Sequence, residues 1–295
     1  MSGPNEALKA HIQSGLTTVA HCWAITRKDG AAFGFTDHDS DLTFAGIVFK
    51  AETGLTAHAI SQSTGLSVDN TEALGALSDA AVREDEIEQG RFDNAEVRAW
   101  LVNWADVSER WLQFRGTIGE VKRADGTFRA ELRGLTEALN RPLGRVYQKP
   151  CAAVLGDGAC GFDTTSPGFY YNILAEEIED GRIFRWRDRL GFREGWFTRG
   201  RLEVRAGPAT GLWGTVKNDR IENGGRLVEL WEPIRGDVLV GTQLRLVAGC
   251  DKRAETCRVK FDNLRNFRGF PDIPGEDWLM AVPKSGGLNE GGSRR

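Results

Sequence analysis

With 295 residues the chain has room for about two domains at roughly 150 residues each, and 40% hydrophobic with 27% charged residues exclude both disorder and a fibre. A formal net charge of −4, from 38 Lys plus Arg against 42 Asp plus Glu, provides no global field for a nucleic-acid backbone. Thirty-six glycines, nine tryptophans and only two methionines favour turns and strands over helices.

No run of 18 apolar residues is present, and Met1 to Gly15 lacks the basic start and apolar stretch of a signal peptide, so synthesis in the cytoplasm without membrane insertion is expected. The first half reads as hairpins: Cys22 to Thr26, a turn at Asp29-Gly30, a return through Ala32 to Thr36, then a third strand over Leu42 to Ala51. Gly46 inside that run predicts a bulge or tight bend in a curved sheet. Val82 to Gln89 reads as a weak acidic helical turn ended by Gly90. Strands follow over Ala95 to Trp104, Trp111 to Lys122 and, after a turn at Asp125-Gly126, Thr127 to Leu139.

Two prolines between Asn140 and Pro150 break the β pattern and set the expected domain boundary, giving an N-terminal β-rich domain over 1-145. The second β-rich domain, 146-283, carries strand-like runs at Arg182 to Trp186, Trp196 to Val204, Leu212 to Val216 and Leu227 to Trp231. The last twelve residues, 284-295, are polar and Gly/Ser-rich and read as a flexible tail.

The five cysteines divide into Cys22 alone, Cys151 with Cys160, and Cys250 with Cys257. In a cytoplasmic chain large enough to bury its own core, clustered thiols are more often metal ligands than disulfides. Eight residues separate the first pair and six the second, wider than the two to four of zinc knuckles. An iron-sulfur cluster tolerates looser spacing because each thiolate reaches a different corner. Glycines flank both pairs and would let backbone N–H groups approach sulfur. Spacing by itself leaves buried or disulfide-bonded cysteines as an alternative.

The words around the cysteines are more specific. Residues 249 to 275, Gly-Cys-Asp-Lys-Arg-Ala-Glu-Thr-Cys through Phe-Pro-Asp-Ile-Pro-Gly, resemble a signature of the tail-tip hub family of long-tailed phages and gene transfer agents. Four further stretches match in order: 22 to 39, Gly-Arg-Phe-Asp-Asn-Ala-Glu-Val at 90 to 97, Leu-Gly-Asp-Gly-Ala-Cys-Gly at 155 to 161, and Trp-Phe-Thr-Arg-Gly-Arg-Leu at 196 to 202. Hubs of alphaproteobacterial gene transfer agents look most alike. The resemblance implies a mainly β fold of two β-rich domains, curved sheets or barrels, whose C-terminal region is stapled by a metal cluster. It implies a homo-oligomer, a trimer or ring, in the tail tip of a virion-like particle assembled by a bacterium. This subunit would join the distal tail protein to the central fibre or receptor-binding protein, with a tail peptidoglycan peptidase as a further partner. It also implies a 4Fe-4S cluster on Cys151, Cys160, Cys250 and Cys257. On spacing, zinc is the alternative metal, and the roughly ninety residues between the pairs make a structural clamp the expected role.

Rival sites are weaker. Asp37, His38, Asp39 and Asp41 start like a calcium loop, but Leu42 stands where Gly is needed and Val48 where Glu is needed. Cys22 beside His21 and His38 would suit a tail-associated cell-wall hydrolase, yet it lies in a strand-like run rather than at a helix N-terminus. A glycan-binding module would need exposed tryptophans, whereas Trp100, Trp104, Trp196 and Trp231 read as core. The basic run Arg182, Arg185, Arg187, Arg189, Arg193 reads as a solvated strand face or subunit contact, with no sequence-specific nucleic-acid binding. No enzymatic activity is expected.

Overall fold

The computed structural model describes residues 3–15, 17–51, 70–75, 83–124, 127–134, 144, 146–187 and 190–273. The expected turn at Asp125-Gly126, the end of the run to Leu139, Arg189 and the tail 284-295 lie outside them. The chain divides into two units, Met1–Leu143 and Gly144–Arg295.

The first unit opens with a helix absent from the sequence reading, α1 (Glu6–Gln13). The Asn5 side chain accepts the Leu8 N–H at 2.7 Å, an N-cap that satisfies one orphan donor, and Leu8 is the residue the helix buries. There follow β1 (Val19–Thr26), β2 (Ala32–Thr36), β3 (Leu42–Phe44), β4 (Ile47–Lys50), β5 (Asn70–Gly75), the short α2 (Glu84–Glu88), β6 (Glu96–Asn103), β7 (Arg110–Ala124) and β8 (Thr127–Gly134). They form one eight-stranded sheet in the order β3-β4-β2-β1-β6-β7-β8-β5.

The expected single strand over Leu42 to Ala51 is two strands. Ala45 and Gly46 both take positive φ, +50° and +73°, as a two-residue hairpin turn of the primed type demands. Strand β1 is packed on both faces. Its Trp23 and Ile25 pack with Phe35, Phe92 and Phe114 on one face, while Cys22 and Ala24 pack with Phe44, Phe49 and Trp100 on the other. A strand covered on both faces shows little polar alternation. Register shifts at Ala99/Trp100 and between Ile118 and Val121 mark bulges in the long β7 pairing.

The second unit contains β9 (Tyr170–Leu174), β10 (Glu177–Glu179), β11 (Ile183–Trp186), β12 (Arg201–Val204), β13 (Trp213–Glu222), β14 (Gly225–Leu230), β15 (Gln243–Val247) and α3 (Ala254–Val259). Its seven-stranded sheet has the order β10-β11-β14-β13-β12-β15-β9. Phe184, Phe197, Leu202, Leu230, Leu244 and Leu246 are buried together at its core. The run expected as a strand from Trp196 becomes one only at Arg201, because 196 to 200 form turns in which Arg199 takes φ +63°.

That turn is held by a buried ion pair. Arg226 donates to Asp219 from Nε at 2.7 Å and Nη2 at 2.9 Å, and both side chains are fully buried. The remaining guanidinium donors reach the carbonyls of Phe192 and Arg193 at 3.0 and 2.8 Å, and Asp219 also accepts the Phe197 N–H at 2.8 Å. Every one of these partners lies on the 192–197 segment or on β13 and β14, so the pair fixes the loop against the sheet. Burial is tolerated because the charges are paired bidentately and the remaining donors are satisfied.

Candidate metal centre

Three stretches of the second unit come together beside that loop. The first, 151 to 161, is shaped by Asp157, whose carboxylate accepts N–H groups from Val154, Ala159 and Cys160 at 2.8, 3.0 and 2.7 Å. These bonds, that of Cys160 foremost, hold its carboxyl below the usual range. Gly156 and Gly161 supply the positive φ the turn needs, +85° and +63°. The second stretch runs from β15 through Gly249 and Cys250 into α3, which carries Cys257. The third is the segment from Asn263 to Gly269.

The stretches are tied by main-chain bonds across great sequence distance. Cys151 N–H donates to the Lys252 carbonyl at 2.9 Å, Ala152 N–H to the Arg268 carbonyl at 3.4 Å, and Phe270 N–H to the Gln148 carbonyl at 2.9 Å. Cys151, Cys160, Cys250 and Cys257 consequently line a single cavity, with Leu155, Phe261 and Phe267 among its apolar walls. All four are free thiols. Cys22 is in the other unit, fully buried under the β3–β4 hairpin.

Several donors face the sulfurs. The Arg268 N–H donates to Cys151 Sγ at 3.3 Å, Asn263 Nδ2 to Cys160 Sγ at 3.6 Å, and the Lys252 N–H to Cys250. The Cys257 thiol donates to the Asn263 carbonyl at 3.3 Å. Burial, followed by the proximity of the three other cysteines, pushes the Cys257 thiol up to about 11, and burial also raises Cys250. Four thiols that would repel one another as thiolates, aimed at one cavity and met by N–H donors, fit a thiolate-ligated cationic group. Among the described residues no three His, Cys, Asp or Glu side chains form a set poised to hold one metal ion.

Gly249 has a different job from the one expected of it. Gly249 N–H donates to the Trp196 carbonyl at 3.0 Å, and a Cβ at Gly249 would overlap the Thr198 carbonyl oxygen. Glycine is needed there so that the chain entering Cys250 can lie against the 196–200 turn. Lys260 seals the contact, donating from Nζ to the Trp196 and Gly249 carbonyls at 2.7 and 2.8 Å with its ammonium 4.1 Å from the Trp196 ring centroid. Burial pulls this amine down to about 8. Asn263, Arg268 and Lys260 are not singled out by the sequence as site residues; their place in the stretch 249 to 275, which carries Cys250 and Cys257, is the available signal.

The rival sites separate clearly. Asp37 accepts the His21 N–H at 2.7 Å, and Asp41 pairs with Lys50 at 2.7 Å while accepting the Ala51 N–H, so these carboxylates bind their own turn. Strand alternation places exposed His21 on the face opposite buried Cys22, and burial pushes that thiol up to about 11, the reverse of an activated nucleophile. Of the tryptophans expected in the core, Trp100 is buried, but Trp104 and Trp231 are 41% and 59% exposed. They sit just past the ends of β6 and β14, where the apolar pattern of the strand no longer dictates the side-chain face. Exposed Trp213 and Trp231 are each stacked by a cation, Arg201 and Lys217. In the basic run, Arg185 pairs with Glu177 and Glu179, and Arg182 with Glu229, so neither is free for phosphate.

Comparison with known proteins divides the chain much as the cysteines do. Residues 5–163 match the family model of a baseplate hub protein, N-terminal attachment domain, and residues 195–277 match that of the phage conserved hypothetical protein BR0599. The first match contains Cys151 and Cys160, the second Cys250 and Cys257. A solved chain from the virion of a native gene transfer agent particle is 52% identical, with a TM-score of 0.90 over 98% of this chain and 99% of that one. No curated protein matches.

Proposed function

Because the chain belongs to the baseplate hub protein family, we propose that it is a structural subunit in the tail tip of a gene-transfer-agent-like particle, oligomeric and joining the distal tail protein to the central fibre or receptor-binding protein. The observation that carries this reading is the near full-length match to a virion chain at 52% identity. A trimer is the copy number put forward. The role is structural rather than catalytic; the buried Cys22, on the opposite face from His21, supports that assignment.

Within the second unit, Cys151, Cys160, Cys250 and Cys257 would hold an iron-sulfur cluster of the 4Fe-4S type, which when bound would supply positive charge to offset the thiolates. The convergence of the four sulfurs on one cavity supports the ligand set. The eight and six residues between the paired cysteines, wider than in zinc knuckles, favour a multi-iron group over a single zinc. The chain's own residues do the rest: Asp157 shapes the first ligand turn, Arg268 and Lys252 direct N–H groups at sulfur, and Lys260 fixes the entry to Cys250. Joining Cys160 to Cys250 closes a loop of roughly ninety residues. A cross-link over that length is worth about 4 to 5 kcal/mol of chain entropy in the loop-closure model. A clamp is thus sufficient reason for the site without electron transfer.

Anaerobic purification followed by iron, sulfide and zinc analysis tests the metal. About four irons and a broad absorption near about 400 nm are expected; zinc in their place would keep the clamp and change the metal, and a metal-free chain would overturn the site. Cryo-electron microscopy of assembled particles tests the position, and density for this chain away from the tail tip would overturn the hub assignment.

A further inference from the structure

The two cysteine pairs come from segments about a hundred residues apart, and one residue touches both, with its side chain on one pair and its main chain on the other. Asn263 Nδ2 donates to the Cys160 carbonyl at 2.8 Å and lies 3.6 Å from Cys160 Sγ. From the same residue the main-chain N–H donates to the Cys257 carbonyl at 3.0 Å, and the main-chain carbonyl accepts from the Cys257 thiol at 3.3 Å. An amide has a donor end and an acceptor end, and only the donor end stabilises a thiolate. Its orientation is therefore decisive, and a second asparagine sets it: Asn266 Nδ2 donates to Asn263 Oδ1 at 2.8 Å, which leaves Nδ2 for Cys160. Asn266 is in turn one helical turn on, with its N–H bonded to the Asn263 carbonyl at 3.0 Å.

We propose that Asn263, oriented by Asn266, is the positioning residue that joins the two cysteine pairs into one ligand set and tunes the electron density on the Cys160 thiolate. The proposal rests on the four-cysteine reading above and goes beyond it by assigning roles to two residues that are not ligands. A donor lost from a thiolate raises the electron density on sulfur and disfavours the reduced, more negative form of the group it binds. The action of Asn266 passes entirely through Asn263, so the two cannot contribute independently.

The test uses the full chain, reconstituted anaerobically with ferrous iron and sulfide, in four forms: wild type, Asn263→Ala, Asn266→Ala and the double variant. Iron release to a chelator and the midpoint potential are read for each. Asn263→Ala is expected to release iron about 10-fold faster than wild type, the lower end of typical losses for an outer-shell partner, and to shift the potential to a more negative value. Asn266→Ala is expected to act in the same direction in the wild-type background and to add nothing in the Asn263→Ala background. Wild-type behaviour of Asn263→Ala, or an Asn266→Ala effect that adds fully in the double variant, would overturn the proposal while leaving the metal site standing. Should Asn263→Ala fail to fold, Asn266→Ala carries the test alone, since an unchanged potential and release rate there would overturn it equally. A wild-type chain that takes up neither iron nor zinc would instead overturn the underlying site, and this proposal with it.

Discussion

Two buried cysteines show how little a single residue says about its role. Cys22 and Cys257 both have thiols pushed up to about 11, and in both burial is the main cause. What differs is the company: Cys22 has Thr36 and the apolar side chains of its sheet, whereas Cys257 has three other thiols. Cys22→Ala is accordingly expected to lower stability by about 1 to 2 kcal/mol through a small cavity and to leave the metal content of the purified chain unchanged. Cys257→Ala is expected to abolish iron binding, read by metal analysis and loss of the absorption near about 400 nm. The Asp219–Arg226 pair follows a different rule. Asp219→Asn leaves a buried guanidinium without its counter-charge, and a loss of about 3 to 5 kcal/mol is expected in denaturant unfolding, whereas replacing both residues by apolar side chains would cost much less.

At the scale of elements, glycine positions decide where strands end and what they can touch. Gly249→Ala would push the chain away from the Thr198 carbonyl and carry Cys250 with it. The expected outcome is a chain that keeps its strand content by far-ultraviolet circular dichroism but holds markedly less metal. Ala45 in the β3–β4 turn takes φ +50° without being glycine or asparagine. Ala45→Gly or Ala45→Asn should relieve that strain and raise the thermal midpoint, by about 1 kcal/mol of stability at most. The outer side of β14 adds a pH dependence. Lys217 and then Asn218 hydrogen-bond Glu229 and hold its carboxyl below the usual range. A carboxyl lowered on folding stabilises the native state above its unfolded value near about 4.3, and that contribution is lost as pH falls through the folded value. Glu229→Gln should therefore lose stability at neutral pH and show a flatter acid limb in urea titrations between about pH 5 and 3.

For the whole molecule, the metal is expected to matter regionally. Chelation should raise amide hydrogen exchange over 151–161 and 249–268, where the ligands and their hydrogen bonds lie, with strands β1, β6 and β7 of the other unit unchanged. Uniform loss of protection throughout the chain would contradict a local clamp.

Much of this organisation was readable from the residues. Alternation and turn pairs located most of the strands, and Gly46 marked a tight bend correctly, although it was a hairpin turn rather than a kink inside one strand. The helices α1 and α3 were missed because they are short and stand beside β-rich neighbours, so neither displays the sustained periodicity that identifies a helix. Trp104 and Trp231 were misplaced because apolar neighbours in sequence do not determine which way a side chain leaves a strand end. Cysteine count and the surrounding words were local information, and by itself the sequence determined the mainly β class, the family and the four residues worth watching. Only the tertiary structure decided that those four line one cavity, that Asn263 spans both pairs and that Gly249 serves a backbone contact instead of a sulfur. Each of those facts depends on groups some fifty to a hundred residues apart, held together by hydrogen bonds and burial that no local pattern encodes.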